Sequence, residues 1–284
     1  DGSLLQTGCF SGNRGFSLGD VIIGSEGTLA VVTKIAVRLI DQPGPGDTIL
    51  VAFERPRNAA QTVTEITGAG IIPTVMEFMD GDAAACANEY EKTDGLDKAA
   101  AILLLETSDE NRQAQTERIR QICEKNDCSY LRTESDPGRA DNLWKVRRNM
   151  TYAAKSQAEL RISEDVAVPN SQFPVLVEFV AEMNSTSRLR INSYGHAGDG
   201  NLHVNFMAAR DTAEAREEME KLIGTLMRKT IALGGTLSGE HGIGLAKQPY
   251  LSLEFDPPTL AAMARVKSVF DPSALLNPDK IFPR

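Results

Sequence analysis

Tyr194-Gly195-His196-Ala197-Gly198-Asp199-Gly200-Asn201-Leu202-His203-Val204-Asn205-Phe206 is the stretch from which the fold can be read. The chain has three histidines, and two of them stand here. The third, His241, lies in Gly239-Glu240-His241-Gly242-Ile243-Gly244. Leu189 to His196 is apolar-rich and reads as a strand; Leu202 to Phe206 alternates and reads as another. Gly198-Asp199-Gly200-Asn201 between them is turn material, because Gly, Asp and Asn tolerate positive φ. With Ala197 opposite Leu202, His196 faces His203 directly, with Cβ atoms ~4.5–5.5 Å apart. Two neutral imidazoles at that spacing can share one metal ion, about 2.0–2.1 Å from each nitrogen. Asn205, two residues beyond His203, projects from the same face. The plain alternative is a polar hairpin whose histidines hydrogen-bond locally. A facing pair beside a Gly-Glu-His-Gly loop favours a metal or catalytic role.

Outward from the hairpin, 284 residues suffice for one large domain or two smaller ones. Apolar and charged fractions of 42% and 24% are those of a soluble globular protein. The formal net charge of −9 argues against nucleic acid or an anionic membrane as the main partner. No transmembrane segment is expected, since the longest apolar candidate, Val21 to Ile40, carries Glu26, Lys34 and Arg38. Cys9, Cys86, Cys123 and Cys128 have no Cys-x-x-Cys spacing and form neither a zinc knuckle nor a disulfide framework. A reduced, cytoplasmic-type compartment follows. The chain begins at Asp1 without methionine, so a targeting segment upstream stays open.

Gly24-Ser25-Glu26-Gly27 is a tight glycine-rich turn of the kind that lets backbone N–H groups approach an anion. It is not Gly-x-Gly-x-x-Gly, so a Rossmann fingerprint is not supported, and taken alone it reads as a structural turn. Ala30 to Leu39 after it is rich in β-branched residues and reads as a strand. Four motifs in order then carry a resemblance. They are Gly24-Ser25-Glu26-Gly27-Thr28-Leu29, the His196–His203 hairpin, Gly239-Glu240-His241-Gly242, and Asn277-Pro278-Asp279-Lys280-Ile281-Phe282. Together they resemble the FAD-linked oxidases of the vanillyl-alcohol oxidase superfamily, over almost the whole chain. The D-2-hydroxyacid dehydrogenases (D-lactate, D-2-hydroxyglutarate and glycolate oxidase flavoprotein types) are the most similar.

The resemblance implies an α+β fold, with a ferredoxin-like antiparallel sheet carrying helices on one face. It implies residues 1–42 as the tail of a truncated flavin domain, 43–256 as a substrate domain, and 257–284 as a helix and tail returning to the flavin part. Family members carry the FAD pyrophosphate loop before the Gly24 turn, so this chain alone is expected neither to hold FAD nor to be active. The implied reaction is oxidation of a D-2-hydroxy acid to the 2-oxo acid, with hydride passing to FAD. His196, His203 and Glu240 are the implied ligands of a divalent metal, zinc first, and His241 is the implied base. Arg147, Thr151 and Asn205 are implied for the substrate carboxylate; the first two stand at i, i+4 and share a helix face. Gly24, Ser25, Glu26, Gly27, Thr28 and Asn277 are implied flavin contacts. An electron-acceptor protein or quinone, a homodimer, and peripheral membrane association are compatible with the family. A metal-dependent hydrolase and a non-catalytic docking subunit remain the alternatives.

In chain order, Gln42-Pro43-Gly44-Pro45-Gly46-Asp47 reads as a linker. The pattern predicts strands over Thr48–Glu54, Pro73–Met79 and Ala99–Glu106, and Arg161–Pro169 resembles the family's strand carrying Glu-Asp-Val-x-Val-Pro. The Ala99–Glu106 strand is continuously apolar and suited to a sheet centre. Helices are predicted over Pro56–Gly68, Gly81–Tyr90, Glu110–Asn126, Asp141–Leu160, Asn170–Asn184, Thr212–Leu233 and Pro257–Phe270. Trp144 is expected to be buried. Glu164 and Asp165 read as local structural carboxylates or as supports behind the site.

Overall fold

The computed structural model describes residues 2–7, 17–42, 44, 46–90, 99–107, 111–156 and 158–282, with side chains outside the description at 87–90, 146 and 149–156. Cys9, most of the Asp1–Arg14 stretch, Pro43 and Pro45 of the linker, and the Thr151 side chain lie outside the described residues. The chain divides into two compact units, Asp1–Ile40 with Glu240–Arg284, and Asp41–Gly239.

The Asp41–Gly239 unit is built on seven strands: β1 Thr48–Phe53, β2 Val75–Asp80, β3 Ala101–Glu106, β4 Cys128–Glu134, β5 Leu160–Ala167, β6 Arg190–His196 and β7 Asn201–Ala208. Their order is β4-β1-β3-β2-β6-β7-β5, and every pair is antiparallel. Around them run helices α2 Pro56–Gly68, α3 Gly81–Tyr90, α4 Arg112–Lys125, α5 Pro137–Ser156, α6 Phe173–Thr186 and α7 Ala213–Ala232; α1 Leu18–Ile22 belongs to the other unit. The continuous apolar run of β3 has strands on both sides, as a strand buried on both faces requires. α2 opens on proline at its first turn, where no N–H is needed, and α7 opens on Thr212, whose hydroxyl accepts from the Ala215 N–H. None of the helices among the described residues is long and apolar enough to cross a membrane.

The two faces of the sheet are used differently. Leu50, Met79, Ile102 and Leu104 form a core with Ala83 and Ala84 of α3 and Leu143 of α5, and Trp144 packs against it half-buried. Phe78 points the opposite way and meets Phe173 of α6 edge-on, with ring centroids 5.6 Å apart. Arg57 of α2 pairs with Glu178 of α6 across that layer. On the Leu104 face the cross-strand row Leu50, Leu104, Glu77, His196 changes from apolar to polar at β2. The polar half is where the candidate site lies.

Three details differ from the sequence expectations. β4 is not among the predicted strands; it is an edge strand in which only Glu134 is buried, so it lacks the continuous apolar run of its neighbour β1. α5 starts four residues earlier than Asp141 and ends at Ser156, and Leu160 opens β5 instead. Ala30 to Leu39 forms no strand. β-branched residues favour extended backbone, but a strand also needs a paired edge, and the unit containing this segment has no strand among its described residues. Val31, Ile35, Val37 and Leu39 are exposed in consequence.

The hairpin turn lies one residue earlier than expected. Ala197–Asp199 make one 3-10 turn, and Gly200 closes it at φ +70°. A Cβ on Gly200 would stand 2.0 Å from the Val168 carbonyl oxygen, whereas one on Gly234, at φ +73° after α7, would meet nothing within 4 Å. Gly234→Ala is therefore expected to cost only the left-handed backbone penalty of about 1–2 kcal/mol. Gly200→Ala must also displace Val168 and should shift the urea midpoint clearly further. Equal midpoints for the two variants would mean that Gly200 is required for its dihedral angles alone.

Candidate active site

The displaced turn moves the register of the hairpin. His203 pairs with Tyr194, not with His196. The shift is by two residues, and because side chains alternate with a period of two, both histidines stay on one face. They are diagonal neighbours, a spacing within reach of rings. Their ring centroids lie 5.8 Å apart with planes at 81°. The direct cross-strand pairing is thus corrected, while the meeting of the two imidazoles stands.

Each histidine is backed by a carboxylate from the strand on its outer side. Glu77 of β2 is the register partner of His196, and Asp165 of β5 is that of His203. Glu77 Oε1 lies 2.5 Å from His196 Nδ1. Asp165 Oδ1 lies 3.9 Å from His203 Nδ1, an electrostatic contact and too long for a hydrogen bond. Asp165 is fully buried and accepts from Asn201 Nδ2 at 2.5 Å and Ser238 Oγ at 3.0 Å. A carboxylate at Nδ1 keeps the proton on that nitrogen and leaves the lone pair on Nε2, the donor form of imidazole. Glu77 gives His196 the support that metal-binding histidines use, and with the His203 ring 5.8 Å away the pair fits a divalent cation. Glu164, one residue from Asp165, faces the other side of its strand.

Arg147 of α5 comes down onto the same face. Its Nε donates to Glu77 Oε2 at 2.6 Å, and its guanidinium carbon sits 5.0 Å from the Tyr194 ring centroid. That stacking adds a cation–π contact to the ion pair. Asn205 is fully buried; its Nδ2 donates to Asn192 Oδ1 at 2.8 Å, and its Oδ1 accepts from Arg161 Nε at 2.9 Å. Arg161 Nη2 also reaches the Tyr194 hydroxyl at 3.4 Å. At the far end of β2, burial pushes the Asp80 carboxyl up to about 7, against hydrogen bonds from Ala83 and Ser193 that pull it down. A cavity of about 300 Å³ opens beside His196, with Glu77, Met76, Asp199 and Ile72 in its wall.

Glu77, Arg161 and Tyr194 were not singled out in the sequence. A signal existed for Glu77, since a lone glutamate inside Val75-Met76-Glu77-Phe78-Met79 must have a partner if the strand is buried. For Arg161 and Tyr194 there was none.

The remaining candidates belong to the other unit and are described within it. Glu240 and His241 are both half-exposed, and Glu240 Oε1 lies 3.9 Å from His241 Nε2. The loop curls through positive φ at Gly242 and Gly244, which brings neighbouring side chains to one side. Glu26 of the glycine turn accepts from the Ile243 and Gly244 N–H groups at 2.7 and 2.8 Å. Asn277 Nδ2 donates to the Glu26 carbonyl, at 2.5 Å. Lys267 of the helix Pro257–Phe270 donates to the carbonyl oxygens of Thr28 and Leu276 at 2.7 and 2.8 Å. Gly24 to Thr28, Asn277 and the His241 loop thus form one bonded cluster. Gly24 takes φ +79° with open space where a Cβ would stand, so a flat cofactor can approach the backbone there.

Residues 43–281 match the family model described as FAD linked oxidases, C-terminal domain. The chain is 34% identical over 286 residues to the glycolate oxidase subunit GlcD of Bacillus subtilis, covering 99% of this chain and 61% of that protein. It is 29% identical over 294 residues to the mitochondrial D-lactate dehydrogenase [cytochrome] 1 of Saccharomyces cerevisiae, covering 99% of this chain and 50% of that one. The chain therefore spans about half to three-fifths of the length of these relatives. Among solved structures it is similar to 4-ethylphenol oxidase from Gulosibacter chungangensis, with a TM-score of 0.68 at 16% identity over 97% of this chain and 61% of that one. At that identity the likeness is one of fold.

Proposed function

The chain belongs to the family of FAD linked oxidases, C-terminal domain, and from that membership we propose that it carries the substrate-handling part of a flavin-dependent oxidoreductase acting on a D-2-hydroxy acid. The observation that carries this reading is the histidine pair backed by Glu77 and Asp165, with Arg147 on the same sheet face. Oxidation to the 2-oxo acid removes a proton from the hydroxyl and a hydride from Cα. Bound FAD supplies the hydride acceptor. A divalent cation, zinc in the first instance, would lower the pKa of the substrate hydroxyl.

His196 and His203 are the proposed ligands of that cation, with Glu240 as the third; two imidazoles and a carboxylate with open positions is the donor set of a catalytic site. Arg147, fixed through Nε to Glu77, offers its outer edge to the substrate carboxylate, which suits a bidentate fork. Thr151, one helical turn on, is proposed to help. Asn205, held by Arg161 and Asn192, has a set orientation and so can orient substrate or the neighbouring His203. His241 is proposed to take the hydroxyl proton, imidazole being the side chain most often used as a general base. Gly24 to Thr28 and Asn277 are proposed to border the flavin. An acceptor protein or quinone would then reoxidise it, in the cytoplasm or in peripheral association with a membrane.

Anaerobic stopped-flow reduction of the complete, flavin-containing protein tests the reading. D-lactate, glycolate or D-2-hydroxyglutarate should bleach the flavin band, and L-lactate should not. A fully loaded flavoprotein that none of the three reduces would refute it.

A further inference from the structure

We propose that Glu77 is a positioning residue that ties the metal-binding and carboxylate-binding halves of the site together, an inference that rests on the reading above. One carboxylate divides its two oxygens. Oε1 meets His196 Nδ1 at 2.5 Å and Oε2 meets Arg147 Nε at 2.6 Å. Its side chain is 5% exposed, so its charge is compensated by these two groups and not by water. The backbone fixes where it stands, since Glu77 pairs with His196 in the ladder between β2 and β6 and with Leu104 on the other side. Neighbours Phe78 and Met79 are fully buried and hold the strand. Arg147 is held from a third direction by the Tyr194 ring.

The two carboxylates behind the histidines are not equivalent. Asp165 stands 3.9 Å from its histidine and accepts from Asn201 and Ser238. Glu77 is within hydrogen-bond distance, so it is the stronger determinant of which imidazole nitrogen keeps the proton. By holding the proton on Nδ1 it commits His196 Nε2 to a cation. By holding Arg147 Nε it turns the rest of the guanidinium outward. Loss of one side chain should therefore move metal affinity and substrate binding together, which independent residues would not do.

Glu77→Gln is the informative variant. Its amide oxygen can still accept from Arg147 Nε, but its NH₂ group then donates to His196 Nδ1 and drives the proton to Nε2. Nitrogen-15 NMR of the histidine rings, in the metal-free protein with flavin bound, reads the tautomer directly, with the His196 signals assigned by their loss in a His196→Asn variant. Wild type should show His196 protonated on Nδ1, and Glu77→Gln should show it on Nε2 with His203 unchanged. Titration with Co²⁺ should show affinity lower by about 10- to 100-fold, the usual effect of losing a support behind a ligand. The KM for the hydroxy acid should rise as well. Arg147→Met should raise KM while leaving the tautomer as in wild type. A wild-type His196 protonated on Nε2 would overturn the proposal, whether or not any variant folds. So would a Glu77→Gln protein with wild-type tautomer and Co²⁺ affinity. Because ring NMR and Co²⁺ titration need no turnover, they remain interpretable even if no 2-hydroxy acid reduces the flavin.

Discussion

His241→Asn, in the complete flavin-containing protein, is expected to slow flavin reduction by a D-2-hydroxy acid by ~10²–10⁴, the range for loss of a general base. Bound metal should stay close to the wild-type amount. The loop itself should survive the change, because its shape is set by backbone: Glu26 accepts from the N–H groups of Ile243 and Gly244, and Gly242 supplies the positive φ. The imidazole is half-exposed, so replacing it leaves no buried hole. Anaerobic single-turnover reduction is the measurement, with metal content determined on the same samples. If His241→Asn reduces flavin at close to the wild-type rate, the histidine only hydrogen-bonds within its glycine loop and the base lies elsewhere.

His203→Asn should behave differently, losing metal and activity together. His203 is nearly buried between the Tyr194 ring, 5.6 Å away, and the Asp165 carboxylate. As a proposed direct ligand, its loss should lower metal affinity by more than the about 10- to 100-fold expected for an outer support. Zinc or manganese added back should restore neither occupancy nor rate at concentrations that saturate wild type. The thermal midpoint must be followed alongside, because Asp165 would keep a buried charge beside a smaller neighbour. A stably folded His203→Asn protein that holds stoichiometric metal would end the two-histidine assignment. In a joint experiment, His241→Asn should be slow with metal and His203→Asn slow without it. No single structural weakening produces that division.

Much of the fold was legible without coordinates, for local reasons. Pro56–Gly68, Gly81–Tyr90 and Pro257–Phe270 are helices with the expected bounds. Two begin on proline, and the glycines and residues around them close the segments without reference to distant chain. The apolar run of Ala101–Glu106 announced an interior strand. His196 and His203 were legible as a same-face pair because alternation along a strand is set by the backbone; the turn changed their register by an even number and left the face intact. Tertiary structure alone decided what stands behind them. Glu77 lies 119 residues before His196 and Arg147 lies 70 residues after Glu77. No local pattern states that β2 rather than another strand pairs with β6. The unpaired Ala30–Leu39 segment makes the same point in reverse, since its composition favours a strand yet its unit offers no partner among the described residues. Helix starts and side-chain alternation are encoded within a few residues, whereas strand pairing is chosen by burial and hydrogen bonding across the whole sheet.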